Sequence, residues 1–311
     1  MSAVMIQTAH DTSPWPLRSM LFVPGHMPER VRKTPRFSPD AVVVDLEDSV
    51  PPGEKPRARE LMAENIAFLK AAGLPVVVRV NGMTEGARDD LAACVVPGLT
   101  TVMLPKADNP GEIAELHDLL SYREGLANIP HGQISILPIP ETAKGLWSAH
   151  QLAAASARVA GLLTVVGGPI AGDIARAAGI RPTVEGNEQT YLQSKIVLDS
   201  RAAGARYPIA GIIGTPLNDL KMVEDLVRRA KAFGFSGAAL IHPDHVKIAN
   251  DVFRATPDEL DYFQGMIAAF EEAERTGRGA ISYRGAMVDY AMLPTARDIV
   301  DEARRRSSKA E

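Results

Sequence analysis

Carboxylates follow apolar runs at two points of the chain. Residues 41–44 are Ala-Val-Val-Val and are followed by Asp45, Glu47 and Asp48, and a later apolar run ends on Glu141. An apolar run of this kind needs burial, whereas a buried carboxylate needs a partner. Grouped carboxylates at these points therefore indicate a bound cation or an ion pair with a basic side chain.

Glu141 and Asp173 form the pair best suited to a metal ion. Asp173 ends a glycine-rich loop, Gly-Gly-Pro-Ile-Ala-Gly-Asp, and would lie one strand away from Glu141. Two carboxylates without nearby His or Cys suit a hard cation, Mg²⁺ before Mn²⁺, with water and substrate as further ligands. Zinc is disfavoured because no C-x-x-C or H-E-x-x-H occurs. Asp173 could instead be the N-cap of the following helix.

Arg79 ends a β-branched run and is a fixed cation, able to bind a carboxylate or stabilise a developing oxyanion. An ion pair with the carboxylates at 45–48 is the alternative, and the two roles are compatible. We expect Glu47 and Asp48 to balance Arg79, and Asp45 to be structural.

Other reactive residue types fit structural roles better. His242 ends an apolar run as a single His, and Cys94 fits a packing role. His26 and Lys33 lie in a basic loop that could receive phosphates or form a solvated helix face. No G-x-S-x-G elbow or P-loop occurs, so serine hydrolase and nucleotide-triphosphatase functions have no support.

Eight short apolar runs, separated by helical patterns, must position these residues. They are 19–25, 41–48, 76–81, 101–106, 134–141, 162–168, 209–214 and 237–243. Near-continuous apolar runs are typical of parallel strands buried on both faces. Strand and helix in alternation predict a (β/α)8 TIM barrel, with chemistry at the carboxyl ends of the strands. A doubly wound sheet is the alternative, disfavoured because no G-x-G-x-x-G follows the first run.

Helical periodicity also marks the regions around and after the barrel. Predicted helices cover 54–73, 219–234, 257–277 and a last segment from 295 to 311. The predicted division is a flexible N-terminus at 1–17, a barrel at 18–256, and a C-terminal helical extension and lid at 257–311. The barrel does not need this extension.

Composition narrows the partners and the compartment. The 311 residues include 34 basic and 38 acidic side chains, a net charge of −4 that favours neither nucleic acid nor an anionic membrane surface. A single cysteine allows no intramolecular disulfide, and no apolar run reaches the roughly 18–20 residues that span a bilayer. The first residues lack the pattern of a secretory signal. We expect a cytoplasmic protein.

Eight motifs in order resemble a known family. They are "RSMLFVPG", "DAVVVDLEDSVPPGEKPRAR", "VRVNG", "MLPK", "PIPETAKG", the glycine-rich turn to Asp173, "LIHPDHVKIANDVFRATPDE" and "GAMVD". From about Arg18 to Ile299, the chain resembles the citrate lyase β-subunit-like family of the HpcH/HpaI aldolase superfamily, which includes malyl-CoA, β-methylmalyl-CoA and citramalyl-CoA lyases. The resemblance implies a (β/α)8 barrel, Mg²⁺ dependence and reversible carbon–carbon cleavage of a 3-hydroxyacyl thioester.

The resemblance also implies roles for single residues. Glu141 and Asp173 would be the metal ligands, and Arg79 would contact the oxo acid or the thioester oxygen. Glu47 and Asp48 would orient metal-bound waters.

Three more residues receive roles in the same way. Asp289, in "GAMVD", would be the acid/base on a lid that often closes over a neighbouring subunit. Arg18, with the basic first loop, and Gly172, in the glycine-rich loop, would bind the substrate or CoA. A homotrimer or homohexamer is the implied assembly.

Two alternatives and the acyl group stay open. The same barrel could cleave a free hydroxy-oxo acid, or act as a citrate lyase β subunit on a carrier-protein thioester, and a malyl-CoA thioesterase activity could accompany lyase activity. The loop before Asp173 is longer than the family's usual Gly-x-x-Asp turn, and the Asp that many members carry near Gly211 is missing. Both differences line the substrate region, so malyl-, β-methylmalyl-, citramalyl- and citryl-CoA remain candidates.

Overall fold

The structure is a computed structural model that describes residues 13–170 and 172–308. Two compact units form this part of the chain, the first ending at Phe253 and the second beginning at Arg254. Residues 1–12 of the predicted N-terminal segment lie outside the described residues.

Eight strands, one in each predicted run, build the first unit. They are β1 (Ser19–Pro24), β2 (Ala41–Asp45), β3 (Val76–Arg79), β4 (Leu99–Leu104), β5 (Ser135–Pro138), β6 (Leu163–Val165), β7 (Ile209–Ile212) and β8 (Gly237–Leu240). Each strand ends before its run does, because the last residues of the runs belong to the loops that follow.

The strands are parallel, and pairing between β1 and β8 joins the first strand to the last. Their order is β5-β4-β3-β2-β1-β8-β7-β6, and β1 pairs with both β2 and β8. At the other seam, between β5 and β6, the described residues form one isolated parallel bridge, from Ile136 in β5 to Val159, which precedes β6. The barrel is therefore nearly closed, and the (β/α)8 prediction is confirmed. The doubly wound alternative is wrong, because the first and last strands are paired.

Helices surround the barrel. They are α1 (Pro28–Val31), α2 (Lys55–Glu60), α3 (Met62–Ala71), α4 (Ala87–Cys94), α5 (Pro110–Leu126), α6 (Ala143–Trp147), α7 (Ala149–Ala154), α8 (Asp173–Ala178), α9 (Thr190–Ala202), α10 (Leu220–Phe233) and α11 (Asp244–Phe253). Short 3-10 helices occur at Thr34–Phe37, Pro52–Glu54 and Asn187–Gln189. The predicted helix 54–73 is divided into α2 and α3 at Leu61. The predicted helix 219–234 is confirmed as α10, with Asp219 as its N-cap.

Alternate strand residues face two different cores. Val42 and Val44 pack in the layer between strands and helices, whereas Val43 and Val77 pack inside the barrel. Because side chains alternate along a strand, position 45 of β2 lies on the same inward face as Val43. Position 79 of β3 follows Val77 in the same way. The inward face thus changes from apolar to charged at the carboxyl ends of the strands.

The interior of the barrel is closed from below by the chain that enters β1. Trp15 and Leu17, which we expected in a loose N-terminal segment, are buried there with 7% and 2% of their surfaces exposed. The Trp15 ring stacks on Tyr207 with 5.8 Å between ring centroids. These side chains fill the interior at the amino-terminal ends of the strands, opposite to the end that carries Asp45 and Arg79.

A buried ion pair supports the seam between β5 and β6. Arg158 donates hydrogen bonds to both carboxylate oxygens of Glu124, at 2.8 and 2.7 Å, and to the carbonyl of Ile134 at 3.0 Å. The Arg158 carbonyl accepts from the Ile136 amide at 2.8 Å. This residue therefore joins α5 to the edge strand β5.

The second unit is a helix pair with a hairpin. Its elements are α12 (Pro257–Arg275), β9 (Ala280–Tyr283), β10 (Ala286–Asp289) and α13 (Leu293–Ser308). The predicted helix 257–277 is confirmed, while the last helix begins two residues earlier than predicted. Phe270 and Val288 lie in a core of this unit's own. In the described part of the chain, no helix has the length and apolarity to cross a bilayer.

Candidate functional site

A bidentate ion pair joins the ends of β2 and β3. Arg79 donates to Asp45 from Nε to Oδ1 at 2.7 Å and from Nη2 to Oδ2 at 2.6 Å. The strand register places the two residues opposite each other, and the Phe22 ring lies 5.0 Å from the guanidinium carbon. Asp45, which we expected to be only structural, is thus the main partner of Arg79. The guanidinium is fixed in the mouth, the barrel end formed by Asp45, Arg79 and Glu141.

Glu47 continues the inward face of β2 and contacts two cations. Its Oε2 lies 3.0 Å from Arg79 Nη1, and its Oε1 accepts from Lys106 Nζ. Glu47 is 2% exposed, and its Oε2 lacks a hydrogen bond of good geometry from the described residues. Asp48 is exposed and lies 3.7 Å from the Lys106 ammonium. Glu47 therefore balances Arg79 by direct contact, whereas Asp48 contacts Lys106 and its charge acts on Arg79 from farther away.

Glu141 follows β5 and is fixed by one backbone hydrogen bond. Its Oε1 accepts from the amide of Lys106 at 3.0 Å. Among the described residues, no side-chain cation is within ion-pair distance of Glu141. Burial, with the nearby charges of Glu47 and Asp173, raises the pKa of Glu141 to about 7. Near pH 7 the Glu141 carboxyl is therefore only partly ionised, and a cation that approaches it favours the ionised form.

Asp173 opens α8 after the glycine-rich loop. The N-cap is Gly172, so the capping role considered for Asp173 is wrong, and the Asp173 carboxylate pairs with Arg176 at 2.5 Å. Its negative charge acts on Glu141 and contributes to the raised pKa of that carboxyl. Gly172 is exposed and precedes the helix directly.

The glycine-rich loop is held from behind by a buried amide. Gln189 accepts from the Gly167 amide and donates to its carbonyl, both at 3.2 Å. A Cβ on Gly168 would lie 2.5 Å from the carbonyl oxygen of Gly214, so only glycine fits there. The loop that leads to Asp173 is thereby packed against the loop after β7.

Electrostatic shifts at the mouth follow from burial and pairing. Burial opposes ionisation of Asp45, but the hydrogen bonds and charge of Arg79 outweigh it and hold the Asp45 pKa below its usual value. For Glu47, burial outweighs the opposing effect of Arg79 and raises the pKa. Asp45 is therefore firmly ionised, whereas Glu47 and Glu141 are more readily protonated. Carboxyl groups with pKa values shifted apart in this way are common at functional sites.

The donor set at the mouth fits a hard divalent cation. Glu141 and Asp173 offer carboxylate oxygens, the ligands that Mg²⁺ prefers. No group of three or more His, Cys, Asp or Glu side chains in the described residues is arranged around a metal position. A cation would therefore have two protein carboxylates, with water and substrate completing its shell.

Two predicted site residues lie apart from this group. Arg18 precedes β1, so it is at the opposite end of the barrel, where its guanidinium is bound to Asp40 at 2.9 and 2.6 Å. Asp289 belongs to the second unit, at the end of β10, and its Oδ1 accepts from the Ala291 amide at 3.0 Å. The structure therefore does not bring Arg18 to the mouth, and it describes Asp289 only within its own unit.

His245 and Cys94 lie in structural surroundings in the first unit. His245 is 1% exposed, and its Nε2 is 3.0 Å from the Leu217 carbonyl, while its ring lies 5.3 Å from that of His242. Cys94 is buried, and burial raises the pKa of its thiol. Neither group combines with further ligands in the described residues.

Sequence reasoning assigned no role to Lys106 or Gln189. Lys106 stands in "MLPK", two residues after β4, and contacts the side chains that follow β2 and β5. A lysine at the end of an apolar strand was an available signal. Gln189 lies far along the chain from Gly167, and no local pattern indicates their contact.

Comparisons with known proteins point to one family. The sequence profile described as HpcH/HpaI aldolase/citrate lyase matches residues 18–243. The citrate lyase subunit beta of Leuconostoc mesenteroides subsp. cremoris is 32% identical over 286 residues, which cover 91% of this chain and 92% of that protein. The mitochondrial citramalyl-CoA lyase of Rattus norvegicus is 28% identical over 299 residues, 92% and 85% of the two chains.

A solved structure extends the similarity to both units. The protein CitE from Mycobacterium tuberculosis, in complex with magnesium, acetoacetate and coenzyme A, superposes with a TM-score of 0.71 at 27% identity. The match covers 92% of this chain and 97% of that chain.

Proposed function

The chain belongs to the HpcH/HpaI aldolase/citrate lyase family, and on that premise we propose that it is a Mg²⁺-dependent acyl-CoA lyase. The reaction is the reversible cleavage of a 3-hydroxyacyl-CoA to an oxo acid and an acyl-CoA. The observation that carries the proposal is the half-buried Glu141, which has no side-chain cation within ion-pair distance in the described residues, near an arginine fixed by Asp45. A citramalyl-CoA lyase among the relatives, and a related structure with magnesium and coenzyme A, support it.

In this proposal Glu141 and Asp173 hold the Mg²⁺, and Glu47 and Asp48 orient its waters. When bound, the ion supplies Lewis-acid polarisation of the substrate oxygens. Glu141 must lose its proton to bind the ion, which its pKa of about 7 allows near neutral pH. Gly172, next to Asp173, lies beside the substrate.

Arg79 stabilises the charge that develops as the carbon–carbon bond breaks. Two of its donor nitrogens bind Asp45, so the guanidinium cannot turn away, while Nη1 is directed toward Glu47. A preorganised cation of this kind stabilises a transition state without reorganisation during the reaction.

Asp289 of the second unit is the proposed acid/base. In cleavage the substrate hydroxyl loses its proton to water as the carbon–carbon bond breaks and the oxo acid forms, and Asp289 gives a proton to the α-carbon of the enolate, which becomes acyl-CoA. Condensation reverses both proton transfers. The position of Asp289 at the end of a short hairpin, in a unit with its own core, is consistent with a part that closes over substrate.

Two other enzyme functions share the same mouth. An aldolase would use a free hydroxy-oxo acid, and a citrate lyase β subunit would use a thioester on a carrier protein, as the 32% identical relative indicates. We propose that the protein acts alone as a cytoplasmic homotrimer or homohexamer, for which the single cysteine and the family resemblance are the support. Light scattering after gel filtration measures the assembly.

The test is a substrate panel with the purified chain and Mg²⁺. Malyl-, β-methylmalyl-, citramalyl- and citryl-CoA are scored by released glyoxylate, pyruvate or oxaloacetate, each with and without EDTA. We expect Mg²⁺-dependent oxo acid release from at least one thioester. Turnover only of free acids would favour the aldolase, and activity only with carrier and partner subunits would favour the β subunit.

Site variants test the residue roles. Glu141→Ala and Asp173→Ala should abolish turnover and leave the circular dichroism spectrum unchanged. Asp289→Ala should lose turnover and keep Mg²⁺ and oxo acid binding. Loss of Mg²⁺ affinity in Asp289→Ala would contradict its assignment as acid/base.

A further inference from the structure

Lys106 contacts three acidic side chains at the mouth. Its amide donates to Glu141 Oε1 at 3.0 Å, its ammonium donates to Glu47 Oε1, and the same ammonium is 3.7 Å from Asp48 Oδ1. The residue follows β4, so its side chain extends past the end of β3 to the loop after β2. One residue thus connects the carboxylates that follow two different strands.

The backbone of Lys106 has an unfavourable conformation for a residue with a side chain. Its φ is +50°, in the left-handed region that glycine occupies most readily. If only the amide of residue 106 were needed at Glu141, glycine would provide it with less strain. Residues kept in such conformations often have a functional side chain, which here directs attention to the ammonium group.

The charges at the mouth show what this ammonium does. Asp45 takes two hydrogen bonds of Arg79, so that cation is largely neutralised by one carboxylate. Lys106 is the second cation in contact with Glu47, after Arg79, and it also lies within ion-pair distance of Asp48. Its charge acts on Glu141 from farther away. The Lys106 side chain is 34% exposed, so its charge is only partly screened by water.

We propose that Lys106 is an internal counter-ion that competes with Mg²⁺ for the carboxylates of the mouth and so weakens binding of the cation. Its ammonium repels a divalent ion at Glu141 and Asp173, while its hydrogen bond to Glu47 orients that carboxylate for the reaction. The inference deepens the proposed function and rests on it, since it takes the Mg²⁺ position from there. Lys106 is thus a positioning residue that keeps the cation exchangeable.

Calorimetric titration of Mg²⁺ into the full-length chain tests this inference. At about pH 8, where Glu141 is mostly ionised, Lys106→Met should bind Mg²⁺ roughly three- to tenfold more tightly than wild type, the range of coupling between partly exposed charges. Lys106→Gly keeps the amide and should show the same gain, whereas Lys106→Arg keeps the charge and should resemble wild type. Lys247→Met, which removes an exposed lysine paired with Asp251, is the matched control and should not change affinity.

Turnover separates this role from a structural one. In Lys106→Met, kcat should fall because Glu47 loses its orienting hydrogen bond, while Mg²⁺ affinity rises; a merely structural defect would lower both. Unchanged or weaker Mg²⁺ binding by Lys106→Met, beside a wild type that binds the ion, would overturn this inference alone. A wild type that binds no Mg²⁺, or a Glu141→Gln variant that binds it as well as wild type, would overturn the proposed function and the inference with it.

Discussion

Replacement of Arg79 by methionine should destabilise the protein in a pH-dependent way. The change removes the two hydrogen bonds to Asp45, at 2.7 and 2.6 Å, and the cation 3.0 Å from Glu47. Asp45 has no exposed surface, but it still accepts backbone hydrogen bonds from Glu47 at 3.0 Å and Ser49 at 3.1 Å. Breaking a buried ion pair costs about 3–5 kcal/mol of unfolding free energy, and the two remaining hydrogen bonds favour the lower end.

The sign of the pH dependence follows from Asp45. In the wild type, the Asp45 pKa is held below its usual value despite burial, so its stabilisation is present at neutral pH and is lost only as pH falls through that lowered pKa. Without Arg79, burial dominates and raises the pKa, so Asp45 takes up a proton on folding. The penalty of Arg79→Met should therefore shrink as pH falls from about 7 toward 5.

Urea unfolding at the two pH values measures both quantities. Arg88→Met, which removes an exposed ion pair with Glu115, is the control and should cost less than about 1 kcal/mol. A loss of under about 1 kcal/mol for Arg79→Met at pH 7, or an equal loss at both pH values, would refute the reasoning.

Three further predictions concern the metal, the loop and the seam. Because the pKa of Glu141 is raised to about 7, Mg²⁺ affinity in calorimetric titrations should fall about tenfold per pH unit below 7. An affinity that does not change with pH would contradict the assignment of Glu141 as a ligand. Gln189→Leu leaves the Gly167 amide buried without its hydrogen-bond partner. The melting temperature should therefore drop by the equivalent of about 1–3 kcal/mol, and Mg²⁺ binding should weaken. No change in either quantity would show that other contacts fix the glycine-rich loop. Arg158→Met leaves the buried Glu124 without its cation, so the free energy of unfolding measured in urea should fall by about 3–5 kcal/mol. The values of kcat and KM should stay unchanged. A change in KM would show that the seam between β5 and β6 affects the substrate region.

The strand-end residues of the mouth were predictable from the sequence. Val43 and Val77 must face a core, and two residues further along each strand the alternation places Asp45 and Arg79 on the same face. Glu141 follows its own strand in the same manner. The choice of Asp45 as the main partner of Arg79 was not predictable, since it depends on the register between β2 and β3.

Features that depend on single backbone angles or distant contacts were not predictable. The left-handed φ of Lys106 follows from its tertiary contacts, and the contact of Gln189 with Gly167 joins residues 22 positions apart. The hairpin at 280–289 was not predicted, because its two-residue turn has positive φ at both Arg284 and Gly285, as a type I′ turn requires. Arginine is an uncommon residue at the first of these positions, so the sequence gives no typical turn signal there.

The most direct test of the proposed lyase function is the product balance of a single reaction. The purified chain with Mg²⁺ and its best thioester from the panel is sampled over time for oxo acid, acyl-CoA and free CoA thiol. The account predicts that oxo acid and acyl-CoA appear in equal amounts, that free thiol does not rise, and that Glu141→Ala forms none of them. Release of CoA thiol and hydroxy acid without any oxo acid would contradict carbon–carbon cleavage and assign the site to thioester hydrolysis.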